Sequence, residues 1–248
     1  MIVIKSAQEI AVMRQAGRVV AVTLAVLASH VRPGVSTAEL DRLAEGAIRE
    51  QGGVPSFKGY RGFPASVCVS IDAEVVHGIP GRRALREGEI VSLDVGTVYK
   101  GLQGDAAITV PVGRVDGQAQ RLMRSTQMAL EAGIRAARAG NRLGDISWAI
   151  QQVAEADGFS VVRDYGGHGI GRAMHEDPHV PNWGDPGAGI VLKPGMTLAL
   201  EPMLNAGGPQ VRVKADKWTV VTVDGMPSAH FEHTIAITDG EAEILTVS

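Results

Sequence analysis

Cysteine is nearly missing from this chain. Its 248 residues hold one, Cys68, which excludes a disulfide framework and a cysteine-based zinc finger. A lone thiol fits a reducing, cytoplasmic setting. Aromatic side chains are scarce as well, at 4% of the total. There is no basic stripe. The net charge is −3 with both signs interspersed, which argues against nucleic-acid binding. The longest apolar run, Val19 to Ala28, is interrupted by Thr23 and falls short of the roughly 20 residues that a bilayer span needs, so no membrane is expected. The opening stretch Met1-Ile2-Val3-Ile4-Lys5 has no charged region followed by an apolar core, so it does not read as a signal peptide. Linkers, low-complexity stretches and long charge runs are absent too. What remains is 45% hydrophobic, ample for a sizeable core. At roughly 150 residues per domain the length allows one large unit or two small ones, and residues 1–248 are expected to act as a single unit.

Four helices are predicted. Residues 6 to 30 carry Ile10, Met13, Val20 and Leu24 near helical spacing behind a Ser6 cap. After Pro33-Gly34, Ser36 and Glu39 form a capping box ahead of the stripe Leu40, Leu43, Ala44, Ala47 and Ile48, which Gly52-Gly53 ends. Residues 118 to 139 place Leu122, Ala129, Ile134 and Ala137 inward. Beyond Gly140 a fourth helix buries Ile146, Ala149, Ile150 and Val153 and stops at Gly158. A shift of 106 residues lays the first pair on the second: Gly34 meets Gly140, Glu39 meets Asp145, Leu40 meets Ile146 and Ala47 meets Val153. Each pair then runs into strands. The pattern suggests an internal repeat, two α/β halves packed as one, with any shared site drawing residues from both.

The strands contain acids in unlikely places. Ile90 to Val98 alternates, with Ile90, Ser92, Asp94 and Gly96 on one face and Val91, Leu93 and Val95 on the other. Gly104 to Val110 follows. A hairpin centred on Tyr99-Lys100 would set Asp94 directly opposite Asp105, where two bare carboxylates repel. Met196 to Glu201 alternates as well, and Pro202 predicts an edge or bulge there. Phe231 to Thr238 is the last predicted strand, with Glu232 and Thr234 on one face. His168 stands in Gly166-Gly167-His168-Gly169-Ile170-Gly171, whose glycines permit close backbone approach to a ligand. This is no phosphate loop, since no glycine-rich turn from strand to helix carries a Lys and a Ser or Thr. Four carboxylates and one imidazole in apolar strands require a compensating cation. Asp94, Asp105, His168, Glu201 and Glu232 together suit a pair of divalent ions such as Mn, Fe, Co or Zn.

At this point the chain resembles the methionine aminopeptidase family, in its short bacterial form, nearly from end to end. The resemblance is carried by Gly59-Tyr60-Arg61-Gly62-Phe63-Pro64, Val76-His77-Gly78-Ile79-Pro80, Ser92-Leu93-Asp94-Val95-Gly96, Gly104-Asp105, Gly166-Gly167-His168-Gly169-Ile170-Gly171, Glu201-Pro202-Met203 and Glu232-His233-Thr234. It implies an α/β pita-bread fold, two pseudo-symmetric α/β halves around a curved central antiparallel sheet, with two metals in its hollow. It implies that Asp94 chelates one ion, His168 and Glu201 the other, and that Asp105 and Glu232 bridge. Glu201 would also accept and donate a proton while a metal-activated bridging water attacks the first peptide bond. His175 would contact the scissile amide, and His77 would line the cleft near the second residue. Tyr60, Phe63, Cys68 and Trp218 would form the methionine pocket, where rings suit a thioether. The implied substrates are nascent polypeptide N-termini with a small second residue. The implied setting is cytoplasmic, as a monomer, near the ribosome exit tunnel.

The span from Glu201 to Glu232 leaves no room for the helical insertion of the second family type. No cysteine-rich extension precedes the first helix, so the chain is expected to be the minimal catalytic unit. Three positions depart from the family pattern: Gln103 where His is common, Met174 where Phe is usual, and His230 where Gln is common. These bear on metal preference and on the cleft, where Met174 is expected to soften one wall. Two other readings fit the same fold. One is an Xaa-Pro peptidase, whose relatives usually carry an additional N-terminal domain. The other is a metal-free binding module, which would be expected to lose ligands.

Overall fold

The first helix starts where its cap predicts. Ser6 Oγ accepts from Glu9 N at 3.3 Å, and the Glu9 carboxylate accepts from Ser6 N at 2.9 Å, which completes the capping box. The computed structural model describes residues 2–247. In it the four α-helices are α1 (Ala7–His30), α2 (Thr37–Glu50), α3 (Gly117–Ala136) and α4 (Leu143–Ala156). Ser36 makes the first half of its predicted box, accepting from Glu39 N at 3.2 Å, without the reciprocal bond. By length and composition alone, α1 would pass for a membrane span. Its apolar residues instead sink into the protein: Met13, Ala16, Val20, Leu24 and Leu27 are buried.

Among the described residues nine strands form the main sheet. They are β1 (Val54–Pro55), β2 (Cys68–Ile71), β3 (Ile90–Tyr99), β4 (Leu102–Pro111), β5 (Gly166–Gly169), β6 (Glu176–Pro181), β7 (Thr197–Leu200), β8 (Glu232–Ala236) and β9 (Glu243–Ile244). The order is β1-β3-β4-β8-β7-β5-β6, with β2 also on β3 and β9 on β8, and every pair is antiparallel. One face of the sheet is covered by helices. Val91, Leu93 and Val95 join Val20, Leu24, Leu40 and Ile48 in one core. Leu198, Leu200 and Ile235 join Leu122, Ile134, Ile146 and Ile150 in another.

The two halves repeat down to backbone hydrogen bonds. Gly34 N donates to Leu85 O (2.8 Å) and Leu85 N to Val35 O (2.8 Å); Gly140 N donates to Leu192 O (3.0 Å) and Leu192 N to Asn141 O (2.8 Å). Gly34 and Gly140 both sit at φ +90°, a conformation that only glycine adopts freely. Ile90 and Thr197 open equivalent strands, and Asp94 and Glu201 follow them at the same interval.

The hairpin register differs from the expected one. Asp94 lies opposite Ala107, and Asp105 opposite Gly96. The two-residue turn is Lys100-Gly101, with φ +48° and +81°. Positive φ at both central positions is the turn geometry that matches strand twist, and glycine supplies the second of them without strain. The slip is by two residues, so both acids keep the expected face. Pro202 does not mark an edge either. β7 lies inside the sheet between β5 and β8, and the chain leaves at Glu201-Pro202 to resume as Met203–Asn205 in a separate sheet. A residue without an N–H can leave the ladder there at no further loss.

α1 lies very close to the sheet and to the C-terminal strand. A Cβ on Gly17 would collide with the Leu245 carbonyl, and one on Gly104 in β4 would come 2.7 Å from Gly17 N. Gly17→Val is expected to cost about 3 kcal/mol by overpacking and to lower Tm by roughly 6–12 °C. Differential scanning calorimetry of the variant checks this; an unchanged Tm would contradict the close contact.

Candidate metal centre and peptide cleft

Register alone brings the five candidate ligands to one side of the sheet. Asp94, Ala107 and Glu232 lie in a row across β3, β4 and β8, and Asp105 is two residues from Ala107 on the same face. His168 pairs with Ala199, two residues before Glu201 and on its face. That face is the one without helices. The side chains converge there on a cavity of about 140 Å³. Asp105, His168 and Glu232 each offer a donor atom within 4.8 Å of the others. His168 Nε2 lies 3.6 Å from Glu201 Oε1.

The backbone around these groups is tied down. Thr234 Oγ1 accepts from Asp105 N (3.0 Å) and donates to Asp105 O (2.8 Å), lacing β8 to β4. Asn182 Nδ2 donates to the Glu201 carbonyl at 2.9 Å. His168 Nδ1 lies 2.9 Å from the Gly169 carbonyl, which can only accept, so the proton is on Nδ1 and the Nε2 lone pair is free for a cation. Cys68 stands directly across the strand pair from Asp94. Burial, and after it the surrounding acids, raise the Cys68 thiol well above its usual range, so it stays protonated.

Electrostatics shows what the arrangement lacks. Burial pushes Asp94 up to about 7 against hydrogen bonds from Asp105 and Cys68. It also lifts Asp105, Glu201 and Glu232 well above the carboxylate range, and their acidic neighbours lift them further. Asp94 Oδ1, Asp105 Oδ1 and Glu232 Oε1 are buried with no hydrogen-bond partner. Unpaired acids in a buried cluster are costly, and divalent cations are the groups that satisfy such a donor set. The residues therefore fit the two ions that the sequence implies.

Every residue singled out for the cleft lines the same cavity, namely Tyr60, Phe63, Cys68, His77, His175 and Trp218. Phe63 and Trp218 meet edge to face at 5.1 Å, and Trp218 lies 6.3 Å from His77. His175 stacks on Tyr60 at 5.5 Å and lies 4.2 Å from the His168 ring. Tyr60 Oη and His175 Nδ1 are hydrogen-bonded at 2.9 Å. Burial keeps His77 and His168 neutral, each pushed down to about 4. Two further residues line the cavity: Phe57, which no sequence motif singles out, and Arg61, which stands in the motif at 59–64 without an assigned role. The scarcity of aromatics was the signal for Phe57, because four rings gather on this one wall. Met174 does not line the cavity. It packs behind Phe57 and Tyr60, so it acts on the wall only through them. Gln103 ties two loops together, accepting from Ser56 Oγ at 2.6 Å and donating from its backbone to Gly171 O at 2.8 Å.

A helix-backed antiparallel sheet whose open face carries this acid and imidazole cluster is the build of a two-metal hydrolase. The chain belongs to metallopeptidase family M24, whose pattern matches residues 11–239, and it has that family's pita-bread fold. The particular relatives are narrower. The chain is 52% identical over 246 residues to methionine aminopeptidase 1 of Bacillus subtilis, covering 99% of each. It superposes on the crystal structure of methionine aminopeptidase from Thermotoga maritima with a TM-score of 0.99 at 49% identity, over all of both chains. An Xaa-Pro dipeptidase from Bacillus anthracis shares the fold at a TM-score of 0.79 and 24% identity; this chain covers 62% of it. The cofactor is a pair of divalent metal ions.

The acids give the metal-free and loaded forms opposite responses to pH. Their folded pKa values are raised, so in the metal-free protein they add stability below the ordinary carboxylate range, and this is lost as pH rises through about 7, where Asp94 ionises. Metal binding needs the ionised forms. The gain in Tm on adding Mn²⁺ is therefore expected to grow between about pH 5.5 and pH 8. The stabilisation behind that shift should reach about 2.7 kcal/mol per site once free metal is a hundredfold above Kd. Calorimetry at both pH values checks this; an equal or larger gain in acid would contradict it.

Proposed function

We propose that the chain removes the initiator methionine from polypeptides and peptides whose second residue is small. Asp94, Asp105, His168, Glu201 and Glu232 act as metal ligands in this reading, with Asp105 and Glu232 bridging. The observation that carries it is the meeting of these five groups at the floor of a cavity whose wall is a thiol and a cluster of rings. Bound by these five residues, the ions would supply an activated water and polarise the carbonyl of the first peptide bond. Glu201 takes the proton from the attacking water and returns it to the leaving nitrogen as the carbon–nitrogen bond breaks. The products are free methionine and a polypeptide one residue shorter.

The remaining residues orient the substrate. Tyr60 donates its hydroxyl proton to His175 Nδ1, which leaves Nε2–H as the donor for the scissile amide as charge develops on its oxygen. His77, neutral and close to Trp218, lines the cleft near the second residue. Tyr60, Phe63, Cys68 and Trp218, with Phe57, enclose the methionine side chain. Sulfur–ring contacts there are worth about 0.3–1.5 kcal/mol each. The chain works as one catalytic unit, residues 1–248, on N-termini emerging from the ribosome in the cytoplasm.

Asp105→Asn and Glu232→Gln are each expected to lower kcat on Met-Ala-Ser by more than about 100-fold while the fold is kept. Circular dichroism and a free-methionine assay check both. Near-normal turnover in either variant sinks the bridging assignment, and faster cleavage of Ala-Pro than of Met-Ala-Ser sinks the substrate assignment. Trp218→Ala is expected to lower kcat/KM on Met peptides by roughly 10–200-fold with metal content unchanged. Elemental analysis beside the kinetics separates a pocket defect from a metal defect.

A further inference from the structure

His230 is the one histidine beside the acid cluster to which neither the ligand set nor the cleft gives a task. Its ring is buried, and both ring nitrogens lack a hydrogen-bond partner. An imidazole left so is costly unless something completes it. The buried ring hangs from a backbone that is itself tied down. His230 N donates to Thr109 Oγ1 at 2.9 Å, and that hydroxyl donates to His230 O at 2.8 Å. Ser92 Oγ sits 2.8 Å from the same hydroxyl, and His230 pairs with Met203 across the small sheet. So held, Nε2 faces two carboxylates from different strands. It lies 3.8 Å from Glu232 Oε2 and 3.9 Å from Glu201 Oε2. These gaps exceed a hydrogen bond, yet a small turn of either carboxylate closes them.

We infer that His230 is a positioning residue that donates its Nε2–H to the outer oxygens of Glu201 and Glu232 and so orients both carboxylates toward the metal pair. The inference rests on the reading of those two acids as metal ligands. A charge-assisted donor behind a ligating carboxylate sets the direction of its lone pairs, and losing such a partner typically weakens metal affinity 10–100-fold. The neutral imidazole suits the task, since it adds no positive charge beside the cations. Gln at this position would keep an N–H donor of similar reach, and Leu would remove it while keeping the site filled.

The test measures binding rather than turnover. Co²⁺ affinity of wild type, His230→Gln and His230→Leu is measured by competition with a chelator of known affinity. His230→Leu is expected to bind 10–100-fold more weakly, and His230→Gln within about threefold of wild type. Wild-type affinity in a folded His230→Leu overturns the inference. Should His230→Leu fail to fold, nitrogen NMR of Zn²⁺-loaded, ¹⁵N-histidine-labelled wild type decides. A protonated Nε2 on His230 supports the inference, and an unprotonated Nε2, as in a direct metal ligand, overturns it. Wild type that binds no metal at all would instead overturn the ligand reading, and the inference with it.

Discussion

Four carboxylates on the open face of one sheet share a small, buried cavity, and the strands and helices around it answer that demand. Like charges brought together away from water cannot all stay ionised without a cation. The structure shows the strain as raised acids and buried oxygens without partners. The nearby imidazoles are neutral and offer the acids no counterweight. The sheet tolerates the cluster because its other face is mostly apolar and backed by four helices. Divalent metal is in that sense part of the fold as much as of the chemistry, because its binding free energy offsets the cost of gathering the acids.

The repeat explains how such a cluster can arise with so little sequence dedicated to it. Two similar halves meet along β4 and β8, and each contributes an acid at the equivalent place, Asp94 and Glu201. Their surroundings then diverge. Asp94 faces the Cys68 thiol across a strand pair, on the side where Phe63 and Trp218 lie. Glu201 faces His168 and His230, on the side where His175 stacks. One side of the cavity is thus suited to an apolar side chain and the other to proton transfer. That division matches a reaction in which a thioether side chain must be held while the amide beside it is cut.

Much of this was legible before any coordinates, and the reasons differ by residue. Ser6 and Glu9 announced α1 because capping is local, and the helix stripes announced the core because helical spacing is local too. Asp94 stood out because an acid within Ser92-Leu93-Asp94-Val95-Gly96 has no ordinary reason to be there. The Asp94–Asp105 register was misjudged by two residues because the turn is set by backbone angles at Lys100 and Gly101, not by symmetry about a chosen centre. Of the edge or bulge that Pro202 predicts, the edge does not occur, because a single strand does not reveal its neighbours. Phe57 passed unnoticed because nothing near it in the chain says which ring it will meet, and Met174 looked like a wall of the cleft although Phe57 and Tyr60 stand in front of it.

What the amino-acid order determined by itself was which side chains share a face. Alternation along a strand and periodicity along a helix depend only on neighbours, so the helix stripes and the faces that carry Asp94, Asp105 and Glu232 could be read directly. Which strands pair, and in what register, was decided only by the tertiary structure. The row Asp94, Ala107, Glu232, the clamp of Thr234 on Asp105, and the tie of Thr109 to the His230 backbone join residues more than a hundred positions apart. Long-range pairing is chosen by the whole core at once, through burial and hydrogen bonding that no short segment encodes.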